Sequence, residues 1–240
     1  LFRSQDISTF EIPQRAMAEA LSKSPEFDIF HVDSNMIPSL ASAGLLEPLD
    51  QYLENAGVKI NAVGNFGEFM TYKGKTYGVP TDGNVHVQFI RKDLFEDPDE
   101  RKAFADKHGR EMTWPETWEE ELELMNFFTR PEDNLWGSAN LRDRGSSLAW
   151  WYMYLYSAGG FPFTDDLEPN IDNDAGEYAV QTFLNVKSAS HPEAAGWGTP
   201  QMIPRIINGN AFSCQYWDGI IALAENPDKS KTAGKRSEER

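Results

Sequence analysis

The sequence predicts an α/β fold, in which short helices alternate with strands. Two observations support this class. Three short helical patterns surround an apolar segment that begins at Phe27 and is typical of a strand, and a hairpin then leads into an alternating strand over residues 85–90. Such a succession is typical of α/β layouts and not of all-β ones.

The first part of the chain predicts helices over residues 13–22, 36–43 and 48–55. The first has a proline at its start, and the other two precede a glycine, which is a common residue at the end of a helix. The segment over residues 27–33 lies between the first two helices, and its apolar composition predicts a strand.

Two polar residues follow that strand. Ligands bind at the carboxyl ends of strands in open α/β sheets, so Asp33 and Asn35 are candidate ligand contacts. The alternative is that this loop only caps the next helix, through the side chain of Ser34 or Asn35. The sequence leaves both interpretations open.

The stretch from Tyr77 to Phe95 joins the hairpin to the alternating strand through the polar loop of residues 80–84. Loops that a folded chain holds at the end of a sheet commonly carry function. Asp82 and Asn84 are therefore candidate ligand contacts. The alternative is that Asp82 only shapes its own turn.

A capping box, Thr117 with Glu120, predicts the start of a helix, in which the glutamates at 119–121 are expected to be solvated.

A later helical segment, residues 150–156, is the most aromatic in the chain. Consecutive side chains on a helix point about 100° apart, so some of these rings must be exposed. Exposed rings offer sugars a flat apolar surface, which makes Trp150 and Trp151 candidates; the alternative is that either ring packs in the core.

Short strands over residues 135–139 and 211–216 are predicted later in the chain, with helices over residues 176–188 and 199–208 between them. Trp217 and Asp218 stand at the carboxyl end of the last strand and are candidate ligand contacts. From Asp228 onward the sequence is polar and has no periodicity, which predicts a mobile tail.

Charge and composition exclude several classes of partner and cofactor. The chain carries 22 Lys and Arg against 38 Asp and Glu, a net charge of −16. It therefore lacks the basic surface that nucleic acids and anionic membranes require.

The single cysteine, Cys214, lies in an apolar strand and is expected to be buried. The histidines show no metal-binding spacing and no nucleotide-binding motif occurs, so we expect no cofactor and no metal.

No apolar run approaches the ~20 residues that a membrane span needs, and no signal peptide opens the sequence. A soluble chain is therefore expected. The missing leader does not indicate a cytoplasmic protein, because secreted proteins lose their leaders.

Five motifs occur in an order that resembles one family. They are FDIFHVD at 27–33, AGLLEPLD at 43–50, GKTYGVP at 74–80, FIRKDLF at 89–95 and PETWEE at 115–120. Over about residues 12–226 the sequence resembles the extracellular solute-binding proteins of ABC importers. The similarity is to the carbohydrate-binding group that includes maltodextrin-binding protein.

The resemblance implies a two-lobed α/β fold of the type II periplasmic-binding-protein class, with a cleft between the lobes and segments missing from both ends of this chain. We expect a first lobe over residues 1–87, a hinge strand over 88–91, a second lobe over 92–227 and a mobile tail over 228–240. Closure of the lobes would complete the ligand site.

The resemblance also implies a function: a non-enzymatic monomer that binds a small sugar or polyol and delivers it to the permease subunits of an ABC importer. The expected location is the periplasm or, membrane-tethered, the outer face of the cell. One side of the site would comprise Asp33, Asn35, Asp82 and Asn84, and the other Trp150, Trp151, Trp217 and Asp218.

Two alternatives remain at this point. A glycoside hydrolase could use two carboxylates among Asp33, Asp82 and Asp218, although a sequence does not give their separation. An interaction module would have no small ligand.

Overall fold

The structure is a computed structural model, which describes residues 11–22, 26–60, 64–81, 85–144 and 146–239. The chain forms two compact units, which divide between Gly83 and Asn84. Each unit is described by itself below.

The first unit contains short helices and one hairpin. Its elements are α1 (Ile12–Leu21), α2 (Ile37–Ser42), α3 (Asp50–Ala56), β1 (Thr71–Tyr72) and β2 (Lys75–Thr76). Short 3₁₀ helices at Ser34–Met36 and Gly64–Met70 precede α2 and β1. Lys73 and Gly74 form the hairpin turn with φ angles of 49° and 74°, the left-handed conformation that two-residue hairpin turns require.

The strand expected over residues 27–33 is not formed. This segment has no regular secondary structure up to the 3₁₀ helix at Ser34–Met36. A strand needs hydrogen bonds to a partner strand, and among the described residues of this unit only β1 and β2 form strands, which pair with each other. The apolar pattern of this segment was therefore not sufficient to predict its conformation.

The second unit contains a four-stranded sheet with helices packed against it. Its strands are β3 (His86–Arg91), β4 (Trp136–Ser138), β5 (Ala211–Trp217) and β6 (Arg236–Glu239). Its helices are α4 (Lys92–Phe95), α5 (Pro98–His108), α6 (Trp118–Phe127), α7 (Ser147–Ser157), α8 (Asp174–Asn185), α9 (Thr199–Ile207) and α10 (Ile221–Ala224). The predicted α/β class is confirmed.

Strand β3 lies in the interior of this sheet. The strand order is β4-β5-β3-β6, with β3 antiparallel to both of its neighbours and β4 parallel to β5. The register places His86 opposite Trp217 and Phe89 opposite Cys214. All of β3 belongs to the second unit, including residues 86 and 87, which the sequence assigned to the first lobe. The role of residues 88–91 as a hinge stays a prediction.

The segment after Asp228 differs from the mobile tail that its composition predicted. Ser230 and Thr232 are buried, and the Lys231 N–H donates to the Ile207 carbonyl at 2.8 Å. Residues Arg236–Glu239 then pair with β3. Polar side chains and main-chain groups hold this segment, so its lack of apolar periodicity did not reveal the packing.

Three apolar clusters form the core of the second unit. Phe89 and Ile90 point to opposite faces of β3, as successive residues of a strand do, and belong to different clusters. The first cluster includes Val87, Phe89, Trp150, Met202, Ile206 and Cys214; the second includes Ile90, Phe95, Phe104, Leu124, Phe128 and Phe212; the third includes Met125, Tyr154, Leu155, Ala179 and Val186. Cys214 is fully buried, as its apolar strand predicted.

Helix α6 begins with part of the predicted capping box. The Thr117 hydroxyl accepts from the Glu120 N–H at 3.2 Å, but the Glu120 carboxylate accepts from the N–H of Glu116 and not from that of Thr117. The expected solvation of the three glutamates is wrong for one of them, because Glu121 is only 2% exposed. Its side chain lies against β5, where Ser213 donates to it at 3.0 Å.

Gly137 allows β4 to approach α6 closely. A Cβ atom at this position would lie 1.9 Å from the carbonyl oxygen of Met125, far inside any normal contact. We expect Gly137→Ala to lower the free energy of unfolding by about 2 kcal/mol, within the usual range for overpacking, because main chain must move on both sides. Urea unfolding followed by tryptophan fluorescence would measure this. Gly196→Ala is the matched control, since a Cβ there meets nothing within 4 Å, and an equal loss in both variants would contradict the argument.

Candidate functional site

The first unit exposes two of the predicted ligand contacts. Asp33 and Asn35 are both exposed around the start of the 3₁₀ helix at Ser34–Met36. Within the described residues, no side-chain hydrogen bond caps this helix or α2. The capping role that the sequence left open is therefore not observed, and both polar side chains face solvent.

A hydrogen bond connects the segment before Asp33 to the segment before Asp82. The His31 Nε2 atom lies 3.2 Å from the Thr81 hydroxyl. Asp82 and Asn84 themselves lie outside the described residues. The contact holds the segments that precede Asp33 and Asp82 close together within the first unit.

The second unit presents polar and aromatic side chains at the carboxyl end of β5. Trp217 is the last residue of this strand and is half-buried. Asp218 begins a short 3₁₀ helix, and its N–H donates to the Val85 carbonyl at 3.1 Å, which fixes the turn beside β3. The Thr199 and Tyr216 hydroxyls are hydrogen-bonded at 3.0 Å on the neighbouring α9 and β5.

His86 is a member of this group that sequence reasoning missed. Its ring stands edge-on to Trp217 with centroids 4.6 Å apart, and its Nδ1 lies 2.9 Å from the Met153 sulfur. Burial lowers the pKa of His86, so the imidazole is neutral near pH 7 and offers both a donor and an acceptor. A lone histidine at the start of a strand gives no signal in a sequence. Only the pairing of β3 with β5 places it beside Trp217.

Trp150 supports this group from inside the core. Its side chain is 0% exposed, and its ring lies 5.5 Å from that of Trp217 and 5.2 Å from that of His86. This burial favours the packing alternative for Trp150. Trp151 points elsewhere: it is half-buried, lies against the third cluster and contacts Tyr152 at 5.3 Å. The structure therefore brings Trp150, Trp217 and Asp218 together and separates Trp151 from them.

The chemistry of this group suits a neutral ligand with hydroxyl groups. An aromatic ring can cover an apolar C–H surface, while the imidazole and the Asp218 carboxylate can hydrogen-bond hydroxyls. Among the described residues, no group of three or more His, Cys, Asp or Glu side chains could hold a metal ion. In the same part of the chain, every helix is too short or too polar to cross a membrane.

Comparisons with known proteins match the fold. A protein with bound ribitol from Agrobacterium radiobacter K84 superposes with a TM-score of 0.80 at 18% identity, covering 97% of this chain and 57% of that one. A protein from Agrobacterium vitis S4 with bound D-mannitol superposes with a TM-score of 0.73 at 18% identity, covering 95% of this chain and 52% of that one. Maltose-bound MalE3 of T. maritima superposes with a TM-score of 0.77 at 19% identity, covering 97% of this chain and 56% of that one.

The chain thus spans between 52% and 57% of the length of these three proteins. The first two are ABC-transporter solute-binding proteins, and at these identities the likeness concerns the fold. The family model of the bacterial extracellular solute-binding protein matches residues 9–235, nearly the whole chain. The resemblance carried by the five motifs is confirmed, and the chain belongs to the family of bacterial extracellular solute-binding proteins.

Proposed function

We propose that the protein binds a small carbohydrate or polyol and delivers it to an ABC importer. The family match over residues 9–235, which spans both units, carries this proposal. The ligand class is supported by proteins of similar fold that hold ribitol, D-mannitol and maltose. The aromatic and polar side chains at the end of β5 have the chemistry that such ligands need.

Each part of the site has a proposed role. Trp217 covers an apolar face of the ligand, and Asp218 and His86 hydrogen-bond its hydroxyls. The other polar contacts in this proposal are Asp33, Asn35, Asp82 and Asn84. Trp150 holds the Trp217 ring in place from the core, whereas Trp151 lies apart from this group against the third cluster.

The family supports a proposed location and partners. We place the protein in the periplasm or, tethered to the membrane, at the cell surface, in keeping with its extracellular family. Its macromolecular partner is the permease pair of the importer, which recognises the ligand-bound monomer. We propose binding without hydrolysis and without a cofactor, so that the ligand leaves unchanged.

A thermal-shift screen against neutral sugars and polyols, with chromatography of the incubated ligands, tests this proposal. A ligand that binds only the folded chain raises the melting temperature. Stabilisation by at least one neutral sugar or polyol that is recovered intact is expected. Turnover would indicate the glycoside hydrolase alternative, and no stabilisation by any of these compounds would favour an interaction module.

Trp217→Ala should weaken binding of the sugar or polyol found in that screen by roughly 1–3 kcal/mol, because a partly buried aromatic contact is lost. Calorimetric titration of the native protein and the variant measures the change. Tyr156→Ala, which removes an exposed ring of the same unit, is the control and should bind like the native protein. Unchanged affinity for Trp217→Ala, with lower stability, would assign this ring to the core.

A further inference from the structure

A cleft within the second unit shares no lining residue with the group at the end of β5. Its volume is about 660 Å³, enough for a small metabolite, and its walls come from β3, the start of α6, the end of α7 and the start of α8. None of the six predicted ligand contacts that the structure describes lines it. It is therefore distinct from the group at the end of β5.

Two polar side chains in this cleft, one buried and one half-buried, lack complete hydrogen bonding. Glu121 is only 2% exposed, and its Oε1 atom accepts from both the Ser213 hydroxyl and the Gln215 amide. No described residue donates to its Oε2 atom. Gln88, which pairs with Gln215 in the sheet, has a buried Nε2 atom without a described hydrogen-bond partner. An unpaired buried donor such as the Gln88 Nε2 atom is costly, and together with the free Glu121 Oε2 atom it favours a ligand that pairs with both.

The cost of this arrangement is greatest for the carboxyl group. Burying an ionised carboxylate without a cation is unfavourable, and burial accordingly raises the pKa of Glu121 to about 7. Tyr154, on the neighbouring α7, is a buried titratable group near this carboxyl and adds no positive charge, and no described cation affects the pKa of Glu121. A cation beside Oε2 would supply the charge that the protein does not.

The remaining lining agrees with a cationic ligand. Of the twelve described residues that line the cleft, four are Asp or Glu and none is Lys, Arg or His. Three of these carboxylates, Glu116, Glu119 and Asp174, lie at helix starts, where the helix dipole alone explains them. The fourth, the buried Glu121, has no such explanation. Trp118 and Tyr178 add aromatic walls, against which a cation also packs favourably.

We propose that this cleft binds a small ligand that carries both a primary ammonium group and hydroxyl groups, such as an amino polyol. The ammonium group donates to the Glu121 carboxylate, and a hydroxyl accepts from the Gln88 amide. An ammonium group alone could not accept that hydrogen bond, and a neutral polyol would leave the buried carboxylate without a cation. An anion is disfavoured by the acidic lining.

Titration calorimetry at pH 8 with 1-amino-1-deoxy-D-glucitol tests this inference, and D-glucitol serves as the matched neutral probe. We expect the amino polyol to bind to Trp217→Ala protein as it does to native protein, since that ring is not in the cleft. Glu121→Gln keeps the size of the side chain and its acceptor oxygen but removes the charge, and should weaken binding about 10-fold or more. Glu132→Gln, an exposed carboxylate outside the cleft, should have no effect.

Ser157→Lys provides a second variant, because Ser157 is exposed at the rim and its replacement does not disturb the core. The added cation should weaken binding of the amino polyol several-fold and leave the circular dichroism spectrum unchanged. The proposal is overturned if the amino polyol does not bind. It is also overturned if D-glucitol displaces the amino polyol and binds with the same affinity. The same holds if neither Glu121→Gln nor Ser157→Lys changes the affinity of the protein for the amino polyol.

Discussion

Replacing Trp150 by alanine is expected to lower the free energy of unfolding of the second unit by roughly 3–5 kcal/mol. The indole is 0% exposed and belongs to the first cluster, where it contacts the rings of His86, Tyr216 and Trp217. Its removal loses the transfer energy of a large side chain and leaves a cavity that three other rings cannot fill without moving.

Tryptophan fluorescence during urea unfolding measures this loss, because all seven tryptophans lie after residue 83 and report on the second unit alone. Trp151→Ala is the matched control: its ring is half-buried, so a smaller loss is expected. If Trp150→Ala proved no more damaging than Trp151→Ala, the assignment of Trp150 to the core would be wrong.

The buried carboxyl of Glu121 should make stability depend on pH in an unusual direction. Burial raises its pKa from 4.5 to about 7 in the folded chain, so the folded chain holds this proton more tightly than the unfolded chain. The stability gained from the protonated carboxyl is complete below about pH 4.5 and is lost as the pH rises through 7. The loss is on the order of 3 kcal/mol, from about 1.4 kcal/mol for each pKa unit.

Comparison with Glu121→Gln isolates this effect from other titrating groups. Glutamine keeps an oxygen that accepts from Ser213 and Gln215 but cannot ionise, so the variant should gain stability relative to the native protein between pH 4.5 and 8. Chemical unfolding at several pH values measures the difference, with Glu132→Gln as a control on an exposed carboxylate. A difference that does not change with pH would show that folding does not raise the pKa of the Glu121 carboxyl.

The sequence predicted the local elements better than their contacts. Helix α6 starts at the predicted threonine cap, and β3 and β5 occupy the predicted strands, because caps and alternation are local signals. The prediction of a strand over residues 27–33 was wrong, because strand formation depends on a partner strand that the local sequence does not specify. The packing of Ser230 and Thr232 was missed because hydrogen bonds to distant main-chain carbonyls leave no periodic pattern.

In the candidate site, too, local features were predicted and contacts between distant residues were missed. Trp217 and Asp218 were identified because they end a strand, a position that a sequence reveals. His86 was missed because its position beside Trp217 arises only from the register of β3 against β5. Burial distinguishes Trp150 from Trp151, and neighbouring residues on an aromatic helix give no indication of which one faces the core.

Calorimetric titration of the native protein with ribitol, D-mannitol and maltose in turn tests the central claim most directly. These compounds are neutral, so binding through stacking and hydrogen bonds should survive moderate salt with little change in affinity. We expect saturable 1:1 binding of at least one of them, with the compound recovered unchanged after the titration. Absence of saturable heat with all three, and with every further neutral sugar and polyol tried, would contradict the proposal that this chain is a carbohydrate-binding or polyol-binding protein.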